Sequence, residues 1–463
     1  MSSSPTPNLS TSQNQSNNKG SPNPTSDSSN QDKISPIGIQ YTLKPKFTTS
    51  ALGCGTSPLG QIGQTSDTAI PTTIISKEVE HICCGGWTSI FVNHNNQALF
   101  LGCNKYGQIP HAQTPFVNTL LIPQNIKKLT KDQIACGDSF TAIINEQNQI
   151  DVFGSLSIPE PLKNLKVWKL YAKFDWLAAM KEGVNDHVYI TMDEMSDLIE
   201  VKLSVENEEI TLVTSFGESK IAVLARSGNL YVFDSEPHKN KPPNDNNNNI
   251  NNSLENNNEN NENQSNNNEN QSNNNENQSN NNENQSNENQ SNENQNTDGK
   301  ETVKGCLTSV VISPIFEKVV SVASTRSRVI ILKSDARVFE VINGRLTLVT
   351  GYLGLPIFLF AGGASLGLIN YEGDCYMWGC GTHGQLGNGA FLNAATPQKV
   401  MLDDKKVEYA AAGEEHTLFL AVKENQHAVL LPELMQKEPL PMAVVAASTI
   451  QFGFKPPEFD RKF

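Results

Sequence analysis

Along most of this chain the apolar residues come in short runs broken by polar turns. Phe140–Ile144 and Ile150–Phe153 flank Asn145–Gln149, and Ile221–Leu224 and Leu230–Phe233 flank Ala225–Asn229. Short β-favouring runs joined by tight polar turns predict antiparallel hairpins. No long helical period interrupts them, so an all-β fold is expected.

The runs repeat. A glycine, an apolar run and a second glycine seventeen positions on occur at Gly85 and Gly102, Gly137 and Gly154, and Gly362 and Gly379; Gly217 and Asp234 keep the spacing without the closing glycine. Weaker copies begin at Lys173, ahead of Trp176–Met180, and at Ala323, ahead of Val329–Leu332. With Gly413 the heads stand at 85, 137, 173, 217, 323, 362 and 413, in steps of 52, 36, 44, 106, 39 and 51. The long step contains residues 244–297, built almost wholly from Asn, Glu, Gln and Ser. Such a tract cannot bury enough apolar surface to offset the entropy of ordering it. Without its 54 residues the step is 52, so it reads as a disordered insert inside one repeat. The mean step is then about 46 residues, the length of one four-stranded propeller blade.

Two phrases connect the repeat to a family. Tyr376-Met-Trp-Gly-Cys-Gly-Thr-His-Gly-Gln-Leu-Gly387, followed by Gly413-Glu-Glu-His-Thr417, resembles the repeat of the regulator of chromosome condensation family; Gly60-Gln61 and Gly107-Gln108 echo Gly384-Gln385. The resemblance implies a seven-bladed β-propeller of four-stranded antiparallel blades, here over residues 40–422. Gly413 is a head with no closing phrase after it. Leu52-Gly53-Cys54-Gly55 and Gly60-Gln61-Ile62-Gly63 are a closing phrase with no head before them. Together they predict that an N-terminal strand near Phe47–Gly55 completes the sheet begun at 405–422. A ring closed in this way leaves no sheet edge for another chain.

Charge and composition narrow the classes of function. The net charge is −14, but residues 244–297 hold nine acids and no base, which leaves −5 for the rest. Neither part has the basic stripe that phosphate binding requires, so no direct nucleic-acid contact is expected. The family's founder acts as an exchange factor on the GTPase Ran and docks on nucleosomes, and a basic N-terminal tail would be expected of its counterpart. Residues 1–36 are instead a Ser/Thr/Asn-rich tail, expected to be disordered, with Lys19 and Lys33 set against Asp27 and Asp32. This tail lacks the basic start and apolar stretch of a secretion signal, and Lys44-Pro45-Lys46 and Lys127-Lys128 are too short for a nuclear address. A cytoplasmic rather than nuclear or secreted protein is expected. The charge-free stretch Gly351–Tyr371 has membrane-spanning length, but its glycines, its proline and the repeat register mark two buried strands and their turn, and no membrane is expected.

Candidate chemistry is sparse. The eight cysteines, at 54, 83, 84, 103, 136, 306, 375 and 380, show no C-x-x-C spacing. They predict neither a zinc site nor disulfides, and Cys84 and Cys136 read as small buried strand residues. His416 resembles the family's recurring hairpin histidine, which implies a hydrogen bond to backbone within its own blade. No Ser/His/Asp or Cys/His set accompanies it, and no phosphate-binding glycine loop is present. Catalytic, cofactor and metal residues are therefore all expected to be none. Gly85, Gly102, Gly137, Gly154, Gly217, Gly362, Gly379, Gly413 and His416 are structural repeat positions. His383 and Gln385, in the loop Gly381–Gly387, are the candidate partner contacts, because scaffold loops carry binding residues. The expected function is a non-enzymatic, monomeric protein-binding scaffold or regulatory subunit. The alternative is a guanine-nucleotide exchange factor for a small GTPase, which needs no catalytic residues of its own. Residues 423–463 read as a C-terminal extension.

Overall fold

The computed structural model describes residues 49–124, 126, 128–192, 198–217, 220–234, 307–342, 344–427 and 431–437. The tail 1–36 and the insert 244–297 lie outside them. Seven sheets form a ring in which the inner strand of each blade touches the inner strand of the next, all the way round.

Blade 1 runs outward through Val79–Cys84, Thr88–Asn93, Ala98–Cys103 and Phe116–Leu121. Blade 2 has Ile134–Cys136, Phe140–Ile144 and Ile150–Gly154, and blade 3 has Val167–Lys173, Trp176–Lys181, His187–Met192 and Leu198–Leu203. Ile210–Ser215, Lys220–Ala225, Leu230–Asp234 and Pro314–Phe316 form blade 4; Val319–Ser324, Val329–Lys333, Val338–Ile342 and Arg345–Leu348 form blade 5. Blade 6 contains Pro356–Ala361, Ser365–Asn370, Cys375–Gly379 and Ala394–Lys399. The last blade joins the two chain ends: Lys405–Ala412 and His416–Lys423 inside, Ser50–Gly55 and Thr68–Ile75 outside. Ser50 pairs with Ala421 and Gly55 with His416, so the orphan head and the orphan tail do share one sheet.

Two blades depart from four strands. Blade 2 keeps three; after Gly154 the chain makes one helical turn, Glu160–Lys163, that buries Leu162 completely. Blade 3 gains a fifth strand, Leu307–Ile312, which pairs in parallel with Leu198–Leu203 before the chain crosses to blade 4 at Pro314. The long excursion thus leaves at Asp234, after the third strand of blade 4, and on its return stitches the outer edges of blades 3 and 4 together.

The seventeen-residue spacing has a physical cause. Thr88 pairs with Gly102 and Phe140 with Gly154, and the closing glycines sit at φ of 109° and 115°. A β-carbon there would lie 2.3 Å from the carbonyl of Trp87 or 2.2 Å from that of Ser139. Only glycine takes that left-handed backbone without strain and also lets the chains approach so closely. Gly55 and Gly379 repeat the arrangement. Between neighbouring blades the core is filled by large side chains, among them Phe91, Phe100, Phe140, Tyr231, Phe233, Trp378 and Phe419, each under 2% exposed. Burial of such a side chain contributes roughly 2–3 kcal/mol.

The weak repeats shift in register. In blade 5 it is Thr325, not Ala323, that donates its N–H to Arg328 as Gly85 donates to Thr88. In blade 4 Phe216 holds that place, donating to Lys220, and Gly217 lies in the turn at φ 81°. The charge-free stretch folds as Pro356–Ala361 and Ser365–Asn370, and no helix among the described residues is long and apolar enough to cross a membrane.

Candidate functional site

Because strands alternate in direction, the turns between first and second strands and the connections between third and fourth strands emerge on one side of the disc, here called the loop face. Around the axis on this face the turns are joined by backbone hydrogen bonds between blades. Glu414 N–H donates to Gly86 O at 2.8 Å, Asp138 N–H to Phe174 O at 2.6 Å and Gly363 N–H to Gly413 O at 3.0 Å. The residues that meet at the axis are therefore those just after each head: Gly86, Asp138, Phe174, Arg326, Gly363 and Glu414.

Their side chains form a charged crown. Arg326 of blade 5 crosses the axis to donate to the Asp138 carboxylate of blade 2, and its Nε lies 3.8 Å from Glu414 Oε1 of blade 7. The guanidinium stacks 4.2 Å from the Phe174 ring centroid, within cation–π range. Beneath it Lys173 Nζ donates to the carbonyls of Ser324 and, at 3.2 Å, Ala361. The two glycines make room: a β-carbon on Gly363 would lie 2.3 Å from the Glu414 carboxylate, and one on Gly86 would lie 3.1 Å from Asp138 Oδ1. Burial raises the carboxyl groups of Asp138 and Glu414 above their usual range, against the pull of Arg326. Burial also lowers Lys173 to about 8. Below the crown a cavity of about 20 Å³, lined in part by Cys84, Cys136, Lys173 and Phe174, has room for about one water.

The Gly-Gln loops lie on the same face, in the consecutive blades 6, 7 and 1. In each the glutamine turns inward: Gln61, Gln108 and Gln385 are at most 1% exposed, and their Oε1 atoms accept from the N–H groups of Leu59, Tyr106 and His383 at 2.9–3.1 Å. Gln385 also accepts from Thr417 Oγ1 at 2.8 Å through its carbonyl. It is therefore a clamp inside the ring, and His383 is the member of the pair presented to solvent, with Nδ1 3.8 Å from Glu415 Oε1. The equivalent residue in blade 1, Tyr106, is 59% exposed. Its place two residues before a Gly-Gln glutamine was the sequence signal for it.

On the opposite face the chain packs back on its own blades. Residues 431–437, with the helical turn Glu433–Gln436, lie over blades 4, 5 and 6; Met435 is 1% exposed among Val320, Leu355 and Leu359. Pro432 and Leu434 pack near Thr211, Leu224 and Val319.

His416 is fully buried and does not bond backbone within its blade, as had been expected. Its Nε2 lies 3.0 Å from Ser89 Oγ of blade 1, and its ring occupies the space a β-carbon on Gly413 would need, 2.3 Å away. Burial alone lowers its pKa to about 3. Among the described residues no group of three or more His, Cys, Asp or Glu is arranged to hold a metal.

Residues 372–420 match the family model described as the regulator of chromosome condensation repeat. No curated protein matches the chain by sequence. The fold is similar to that of human WBSCR16, at a TM-score of 0.56 and 11% identity over 81% of this chain and 99% of that one. It is also similar to Prp20p from Saccharomyces cerevisiae, whose structure was reported with its binding to Gsp1p and histones, at a TM-score of 0.55 and 11% identity over 87% and 95%. Residues 372–420 thus carry a regulator of chromosome condensation repeat, and the ring of seven blades is similar in fold to these two proteins.

Proposed function

We propose that this chain is a non-enzymatic scaffold that docks a protein partner on its loop face, acting as a monomer inside the cell. The carrying observation is the asymmetry of the disc. The chain's own residues 431–437 pack over blades 4, 5 and 6 on one face, whereas the other presents Tyr106, His383, Glu415 and the charged crown. Rigid blades hold these loop residues in place, the arrangement that lets a scaffold bind without ordering its own backbone.

The test compares interactors recovered from the native cell by the wild-type chain, by a loop-face variant (Tyr106→Ala with Glu415→Ala) and by an opposite-face variant (Glu182→Ala). The scaffold reading expects stoichiometric partners to be lost from the first variant and kept by the second. Partners retained by both variants would overturn it.

Exchange on a small GTPase is the second reading, supported by the similarity to Prp20p. At 11% identity that similarity reaches the fold and leaves the loops to decide the partner. An exchange factor binds the nucleotide-free GTPase more tightly than the loaded form and so speeds release of labelled GDP. The scaffold reading expects no acceleration from Ran or from a panel of Rab, Rho and Arf GTPases. A hundred-fold acceleration lost in the loop-face variant would make the chain an exchange factor.

A further inference from the structure

Blade 2 has one strand fewer than the blade before it is shaped to receive. Its third strand, Ile150–Gly154, pairs with Phe140–Ile144 on one side, and no described residue pairs with it on the other. Such an edge presents alternate N–H and C=O groups to any strand that comes alongside. Asp151 and Gly154 are exposed along it. The Gly-Gln loops show where a fourth strand would run. Gly384 of blade 6 has φ 83°, and a β-carbon on it would lie 2.7 Å from the carbonyl oxygen of Thr68, the outer-strand residue of blade 7 that pairs with the closing Gly55. Gly60 of blade 7, also at φ 83°, stands equally close to the carbonyl oxygen of Val117, which pairs with the closing Gly102 of blade 1. Each of these loops thus seats the outer strand of the next blade. Gly107 of blade 1 keeps the conformation, at φ 78°, but nothing lies within 4 Å of its β-carbon position. A strand added to blade 2 in the same register would set on Gly107 the carbonyl of the residue opposite Gly154.

We propose that residues 37–43 of this chain's own N-terminal tail dock on that edge as the fourth strand of blade 2. The segment lies outside the described residues. Ile37, Ile39, Tyr41 and Leu43 alternate with Gly38, Gln40 and Thr42, the period of a strand with one buried face, and Pro36 and Pro45 bound the run. Its direction fits as well. In the blades that have one, the fourth strand pairs antiparallel with the third and runs from the loop face to the opposite face. The segment must therefore leave blade 2 on the opposite face, and Thr49 lies there: its carbonyl accepts from Val79 N–H, at the start of the inner strand of blade 1, at 3.4 Å. Residues 44–48 reach about 17 Å when extended, against about 14 Å from the inner to the outer strand of one blade. The residues after Lys437 fit poorly, because they start on the opposite face and would have to cross the disc before entering the edge in the antiparallel sense.

The test is hydrogen exchange of the full chain, read by mass spectrometry over residues 150–154 and 37–43. Both segments are expected to exchange slowly. Deleting residues 1–43, which keeps the closing strand Ser50–Gly55, should speed exchange at 150–154 about tenfold while the inner strands exchange as before. Gly107→Ala puts a methyl group where the incoming carbonyl would sit, and should free both segments in the full chain. The tail can leave the edge without opening the ring, so this variant should still melt close to the wild type. Equal exchange at 150–154 in the full and shortened chains, whether fast or slow, would overturn the proposal. So would faster exchange throughout the shortened ring, protection that grows with protein concentration and so marks a second copy on the edge, or protection that survives Gly107→Ala.

Discussion

His416 Nε2 lies 3.0 Å from Ser89 Oγ, and Ser89 Oγ donates in turn to the carbonyl of Gln61 at 2.5 Å. With the serine proton committed to Gln61, the histidine donates from Nε2 and leaves Nδ1 buried without a hydrogen-bond partner. The three residues belong to the second strand of the closing blade, to blade 1 and to the N-terminal Gly-Gln loop. The bond therefore spans the seam where the chain ends meet, a role a within-blade bond would not serve.

This histidine should make stability depend on pH. Its folded pKa is about 3, below the ordinary value near 6.5, so between those values only the unfolded state binds the proton. Stability is then lost as pH falls through that window, on the order of 2–3 kcal/mol between pH 7 and pH 4.5. Urea unfolding of the wild type and of His416→Gln at both pH values checks it: the wild type should lose its advantage at pH 4.5. An equal gap at both values would show that the folded histidine titrates normally.

Two glycines with similar sequence surroundings should respond differently to alanine. Gly154 has φ 115° and a carbonyl 2.2 Å from its missing β-carbon, whereas Gly107 has φ 78° and nothing within 4 Å. Gly154→Ala should cost about 3 kcal/mol, from strain plus collision. Gly107→Ala should cost about 1 kcal/mol, for the backbone conformation alone. Thermal unfolding of both variants ranks them, and equal losses would contradict the cause given for the repeat spacing.

Opening the seam should unfold the ring. Six residues, Ser50 to Gly55, pair with Ala421 to His416, so removing residues 1–63 leaves the strand His416–Lys423 with a bare edge. The truncated chain is expected to lose its single cooperative transition and to associate through that edge. A monomer with an unchanged transition would show that closure contributes nothing.

The C-terminal cap should contribute to stability and leave the loop face untouched. Met435→Ala removes a side chain only 1% exposed, and large-to-small changes at such sites cost about 2–5 kcal/mol. Denaturant unfolding should show that loss, while interactors recovered through Tyr106 and Glu415 should persist. Loss of those interactors at unchanged fold would move the binding face to the opposite mouth.

Shortening residues 244–297 to a brief Gly/Ser linker should change stability by only about 1 kcal/mol, since closure entropy grows slowly with loop length. Differential scanning calorimetry of the two chains settles it. A large fall in melting temperature would mean that the tract packs on the blades.

The sequence legibly encoded what depends on local geometry. The paired glycines could be read because each answers a constraint between residues joined by one hairpin: a left-handed φ and a carbonyl 2.2–2.5 Å away. The closing seam could be read because a head without a tail and a tail without a head have one solution. Where the glycines are gone the reading slipped, by two residues at Ala323 and by one at Gly217, since generic β-favouring side chains do not mark where a strand ends.

By itself, then, the sequence determined a seven-fold ring of hairpins and its closure, because both follow from a repeat whose spacing is set within single hairpins. Only the tertiary structure decided what occupies the axis. Arg326 meets Asp138 and Glu414, and Met435 packs among Val320, Leu355 and Leu359 on the opposite face, through contacts between residues from 76 to 188 positions apart that cross between blades. No local pattern marks such residues in advance, for they are brought together by the angle at which seven blades pack around one axis.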